Sequence, residues 1–179
     1  MVVVLLANGF EEIEALTPID VLRRAGLEVV SCGLCGSEVR GSHGITVIAD
    51  TLPEDIDIDK VDMVILPGGM PGATNIDSHP FTDKIINTTI KRGGRLAAIC
   101  AAPLVLGRRG LLEGKMATCY PGFEEELRGA TLTGKGVVTD GSITTAKGMG
   151  VALEFAKELV RLMVGEEKAN EISSAIMEN

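Results

Sequence analysis

The chain has no tryptophan, a single tyrosine and four phenylalanines, so aromatic residues make up only 3% of its 179 positions. Without such rings it has no row of stacking platforms for single-stranded nucleic acid. Basic residues are also in short supply. Lys and Arg total 17 against 25 Asp and Glu, a formal net charge of −8, so no positive field draws phosphate backbones or anionic lipid. Neither nucleic acid nor a membrane is an expected partner. Long apolar runs are missing as well. The opening run 1–7 has no basic flank and meets Asn8, Gly9, Glu11 and Glu12 at once, so it reads as neither signal peptide nor membrane span. The expected location is the cytoplasm, where Cys32, Cys35, Cys100 and Cys119 read as thiols rather than as a disulfide framework. Histidine occurs only at 43 and 79, and no His cluster or second Cys pair completes a zinc tetrahedron, so no metal is expected.

What is present is an ordinary globular balance, 45% hydrophobic and 23% charged, in a length that suits one domain over 1–179. Short β-branched runs at 2–6, 28–32, 63–66, 95–99, 116–119, 136–139 and 142–145 read as strands. Helices are expected at 11–25, 80–92, 103–109, 150–164 and 166–176. Several strands are apolar throughout, which suits parallel strands covered on both faces. The fold class is therefore α/β: a flavodoxin-like or Rossmann-like open, mostly parallel sheet with helices on both faces. A small β-hairpin at 38–40 and 45–49 and an acidic segment at 53–62 form an edge insert. In such sheets the ligand site lies beyond the carboxyl ends of the strands.

The turn after the first strand, Ala7 to Glu12, lacks the glycine pattern of a dinucleotide site, and its two carboxylates would repel phosphate. No phosphate loop occurs elsewhere, so no nucleotide cofactor is expected. Leu66-Pro67-Gly68-Gly69 ends a strand, and its glycines can present backbone N–H groups to an oxyanion or simply make a turn. The sharper signal is Ile99-Cys100-Ala101-Ala102-Pro103, a buried strand stopping at a cysteine before a helix start. A helix N-terminus favours the nucleophilic thiolate, although Cys is also a common small core residue. No Cys-His pair is evident: His79 reads as a surface residue, and His43 reaches a site only if the hairpin folds over it. Glu11, Glu12 and Glu14 can complement a helix start, and one turned inward and protonated can donate to a thiolate. Cys119 beside Tyr120 is placed in the same cleft, while Cys32-x-x-Cys35 lacks the helix that activates a redox pair.

Taken together, the segments 7–14, 20–26, 66–69, 98–103 and 145–150 resemble the ThiJ/PfpI superfamily, in the branch of the Parkinson-disease-associated protein deglycase and bacterial YajL. The resemblance implies that Cys100 is the reactive cysteine and that Glu14 is the buried, protonated carboxyl beside it. Gly69 and Ala101 would supply the oxyanion-binding N–H groups, with Gly68, Cys119, Tyr120 and His43 as site neighbours. It also implies a homodimer. The chain departs from the family pattern at Met149, where proline is usual, and at Tyr120, where the Parkinson-associated member has histidine. Gly41 and Ile48 replace hairpin cysteines of other members.

The implied activity is that of a cofactor-independent glyoxalase or deglycase. Cys100 would add to a small aldehyde, methylglyoxal or glyoxal, or to a glycated protein, through a hemithioacetal. The alternative is a redox-sensing stress protein or chaperone that uses oxidation of Cys100. A peptidase is disfavoured because no histidine pairs with the cysteine.

Overall fold

The computed structural model describes residues 1–177. Its strands are β1 (Val2–Leu6), β2 (Val29–Gly33), β3 (Glu38–Arg40), β4 (Thr46–Ile48), β5 (Met63–Leu66), β6 (Arg95–Ile99), β7 (Met116–Ala117), β8 (Thr131–Leu132), β9 (Val137–Asp140) and β10 (Ile143–Ala146). Its helices are α1 (Glu12–Arg24), α2 (Gly72–Ser78), α3 (Pro80–Lys91), α4 (Pro103–Arg108), α5 (Ala152–Val164) and α6 (Glu166–Ala175). Six strands form the central sheet in the order β2-β1-β5-β6-β10-β9. All neighbours run parallel except β9, which returns antiparallel to β10.

β1 shows why apolar runs occupy this sheet. Val2, Val4 and Leu6 enter the core under α1 and α5, whereas Val3 and Leu5 enter the one under α3 and α4. Both faces are dry, so alternation with polar residues is absent. From β1 the chain first crosses to β2 and later to β5 on the opposite side. The loops leaving the carboxyl ends of β1 and β5 therefore diverge, and the crevice between them is where such sheets bind ligands.

The expected fold class holds, with helices on both faces. Several elements differ in detail. The run 116–119 forms only the two-residue β7, paired with β8 outside the main sheet, and the next amide, Thr118 N–H, donates to the Thr145 hydroxyl of β10. Helix α2 lies outside the expected helices; its segment, Gly-Ala-Thr-Asn-Ile-Asp-Ser, has little apolar periodicity and is held by burial of Ala73 and Ile76. The hairpin β3–β4 pairs with itself instead of extending the sheet edge. It docks on the loop after β1 through Gly9 N–H to Arg40 O (2.8 Å) and Ser42 N–H to Phe10 O (2.8 Å). The residues 53–62 contain two short 3-10 turns, and α5 starts at Ala152 after another. Among the described residues no helix is long and apolar enough to cross a membrane.

Candidate active site

Four carboxyl-end loops converge. β1 leads into α1, whose start is set by Glu11: its extended backbone leaves Oε2 to accept the Glu14 amide at 2.7 Å. That cap orients the first turn so that Glu14, 1% exposed, points into the sheet end. There its Oε2 accepts the Gly68 amide at 3.0 Å, and its carboxyl also bonds the Cys100 thiol and the Met149 amide. Gly68 has to be glycine. A Cβ on it would lie 2.5 Å from Glu14 Oε2 and 2.6 Å from Cys100 Cβ.

Cys100 follows β6 with φ 65, the left-handed region that a side chain rarely enters. Such a conformation costs about 1–3 kcal/mol and persists only where neighbours enforce it. Here its N–H donates to Ala146 O at 2.9 Å and its carbonyl accepts the Tyr120 amide at 2.8 Å. The result is a strand-to-helix elbow that turns the sulfur to the amides of Gly69 and Ala101. Gly69 itself sits at φ +84, where an added Cβ would run into Glu11 N and Gly9 O. The thiol is partly exposed, so a small molecule can reach it.

The electrostatics differ from the sequence expectation in one respect. α4 begins only at Pro103 and has six residues, so local amides, not a long helix dipole, face the sulfur. Burial, the charge of Glu14 and its hydrogen bond push the Cys100 thiol up to about 12, while the Gly69 and Ala101 amides pull it down. Burial raises the Glu14 carboxyl to about 7, aided by the charge of Glu11 and opposed by the bonds from Cys100, Gly68 and Met149. The pair thus carries one negative charge between about pH 7 and about pH 12, and within that state the thiolate is the form in which Glu14 keeps the proton.

The other expected neighbours divide: Tyr120 borders Cys100 and Glu14 across Gly148, whereas Cys119 packs into the core and His43 pairs with Glu12. Tyr120 is exposed and lines, with Pro121, Lys147, Gly148, Met149, Gly150 and Val151, an open, mainly apolar hollow of about 390 Å³. Cys119 is 6% exposed and packs into the core on the α3–α4 side. It lines a separate small cavity with Glu124 and Lys147, and burial pushes its thiol up to about 11. Cys32 is buried, its thiol likewise up to about 12, while Cys35 is exposed; neither is disulfide-bonded. His79 caps α3 through Phe81 N–H. His43 does not approach Cys100 within the chain: its Nδ1 sits 2.9 Å from Glu12 Oε2. Among the described residues, Glu11, Glu12 and His43 are the one cluster with metal-ligand spacing. Sequence spacing could not reveal it, because His43 arrives from the hairpin.

The DJ-1/PfpI family model matches residues 1–162. The chain belongs to this family. It is 37% identical over 177 residues to Protein dj-1beta of Drosophila melanogaster, covering 97% of this chain and 95% of that one. The solved structure of Drosophila DJ-1beta superposes with a TM-score of 0.94 at 36% identity, covering 98% and 96% of the two chains. A Caenorhabditis elegans relative named glutathione-independent glyoxalase DJR-1.2 is 33% identical over 164 residues, covering 90% and 87%.

Proposed function

We propose that this DJ-1/PfpI protein is a cofactor-independent glyoxalase that acts on methylglyoxal, glyoxal or early glycation adducts through Cys100. The observation that carries the reading is the sulfur of Cys100 facing three groups at once: the Gly69 and Ala101 amides and the carboxyl of Glu14. The name of the Caenorhabditis relative supports the same class of chemistry.

In the proposed reaction the Cys100 thiolate adds to the aldehyde carbon, and the carbonyl oxygen becomes an alkoxide held by the two amides. Glu14 gives that oxygen its proton, which completes the hemithioacetal. The resulting carboxylate then takes the proton from the former aldehyde carbon, and the enediol is reprotonated at the neighbouring carbon to give a 2-hydroxy thioester. Water hydrolyses the thioester, releasing the 2-hydroxy acid and the thiol. One molecule of water is consumed; oxidation of the aldehyde carbon is balanced by reduction of its neighbour, so no external oxidant enters.

The test is lactate formation from methylglyoxal without added glutathione, in wild type and Cys100→Ala. Turnover in the wild type that disappears in the variant is expected; equal turnover in both overturns the assignment. A second reading, a redox-responsive protein, is favoured by the same three groups, which would also hold the oxygens of a sulfinate formed by two equivalents of peroxide. It predicts oxidation at Cys100 with no lactate produced. That alternative includes the stress-response and chaperone roles, and a homodimer is proposed under either reading.

A further inference from the structure

The hollow of about 390 Å³ beside Tyr120 plays no part in the reaction of so small an aldehyde as methylglyoxal. Tyr120, Met149 and Val151 are among its walls, and the first two are 51% and 50% exposed. Of the described residues lining it only Lys147 is charged, and Lys147 is exposed, so its ammonium can stay in water. The hollow is joined to the reacting groups at three points. The Tyr120 amide donates to Cys100 O at 2.8 Å, and the Met149 amide bonds the Glu14 carboxyl. A Cβ on the buried Gly148 would stand 3.4 Å from the Tyr120 ring and 3.9 Å from Glu14 Oε1. With only a hydrogen there, ring and carboxyl share one gap. Glu14 Oε2 is held by the Gly68 amide at 3.0 Å, whereas Oε1 lies on the side of Gly148 and the hollow.

Building on the glyoxalase reading, we propose that this hollow receives the substrate's substituent and that the preferred substrates are 2-oxoaldehydes bearing an aryl group, with methylglyoxal a poorer one. In the proposed chemistry the aldehyde carbon is bonded to sulfur, its oxygen sits at the Gly69 and Ala101 amides, and its hydrogen leaves to Glu14. The remaining bond, to the carbon that bears the substituent, leads away from sulfur and amides along the side of Glu14 that Gly148 leaves open. A hollow of about 390 Å³ is in the range that holds a drug-sized ligand, whereas methylglyoxal offers it a single methyl group. A ring also gains from the Tyr120 ring and the Met149 sulfur, two contacts that favour aromatic over alkyl groups. The reaction balances as before. Phenylglyoxal takes up one water and becomes mandelate; the aldehyde carbon is oxidised, the ketone carbon is reduced, and no further reagent enters.

Two measurements test it. The first reads the hollow without turnover, from labelling rates of Cys100 with iodoacetamide and with N-phenyl iodoacetamide, each divided by the rate of the same reagent with glutathione. The ring should speed labelling of the wild type by about tenfold or more. Met149→Ser and Tyr120→Ser should each remove most of that advantage, while Met149→Leu, which keeps an apolar chain, should retain it. The second compares kcat/KM for phenylglyoxal and methylglyoxal in the same proteins. Their ratio should favour phenylglyoxal in the wild type and fall by about tenfold in both serine variants; a loss common to both substrates cancels in it. Labelling without a ring advantage, as when a second copy of the chain fills the hollow, overturns the proposal even where methylglyoxal is turned over. So does an advantage that survives both serine variants, or a wild type that prefers methylglyoxal. Labelling that favours the ring with no turnover of either aldehyde instead overturns the glyoxalase reading, and the substrate named here with it.

Discussion

Gly68 donates its amide to Glu14 Oε2 at 3.0 Å, and this bond ties the end of β5 to the first turn of α1. The same glycine separates the Glu14 carboxyl from Cys100 with no space for a methyl group. The amide holds the carboxyl, and the missing side chain lets the thiol meet it.

Gly68→Ala should accordingly damage the site before it damages the fold. Forcing one methyl group into a packed position costs about 1–3 kcal/mol, and here the atoms displaced are Glu14 Oε2 and Cys100 Cβ. Thermal unfolding should show that loss, and alkylation of Cys100 should lose its dependence on Glu14. Unaltered melting together with unaltered thiol reactivity would refute the close approach.

Glu14 makes stability depend on pH. Its carboxyl is raised from 4.5 to about 7 in the folded protein, so folding favours the protonated form. Its contribution is complete below pH 4.5 and is lost as pH rises to about 7; the full shift corresponds to about 3 kcal/mol. Glu14→Gln removes this dependence. Denaturant unfolding of both proteins from pH 4.5 to 7.5 should show the wild type losing stability relative to the variant, whereas parallel curves would exclude a buried carboxyl that titrates in this range. Glu12, which burial alone would raise but which the His43 ring and nearby amides hold down at about 2, is common to both proteins and cancels in the comparison.

How much of this was readable beforehand depended on the kind of signal. The sheet was legible because its strands are short, β-branched and apolar on both faces, as in Val2–Leu6 and Met63–Leu66. Cys100 was legible because a buried strand ends on it before Pro103. Three features were not. Helix α2 depends on tertiary burial of Ala73 and Ile76 rather than on a periodic face. Cys119 adjoins Tyr120 in sequence, but the two side chains take opposite environments, one in the core and one at the surface. The bond from the Met149 amide to Glu14 involves backbone, and a backbone amide leaves no mark on residue type.

The outer face of α1 should be an interface between two copies of the chain. Ile13 and Leu16 are exposed there at 47% and 38%, and Leu16 lines a groove of about 580 Å³ with Val21, Leu153 and Ile176. Light scattering should return twice the chain mass, and Leu16→Lys should shift the equilibrium to single chains. A monomer at micromolar wild-type concentration would exclude this interface.

The final prediction concerns the proton shared by Glu14 and Cys100. In the proposed chemistry the reacting form has the proton on Glu14 and the charge on sulfur. Moving that proton to the sulfur leaves the total unchanged, so the ratio of the two forms is independent of pH. Alkylation of Cys100 should therefore rise as the pair loses its first proton near pH 7 and then level off, instead of climbing until the thiol itself titrates near 12. In Glu14→Leu only burial and the Gly69 and Ala101 amides act on the sulfur, so the midpoint near 7 should vanish and the thiol titrate at higher pH. Glu14→Gln should fall between them, because an amide still donates to a charged sulfur but cannot exchange a proton. Rate–pH profiles of iodoacetamide labelling, read at the Cys100 peptide by mass spectrometry, separate the three cases. Coincident midpoints across all three proteins would remove Glu14 from the reaction and leave the two amides as the sole source of thiolate stability.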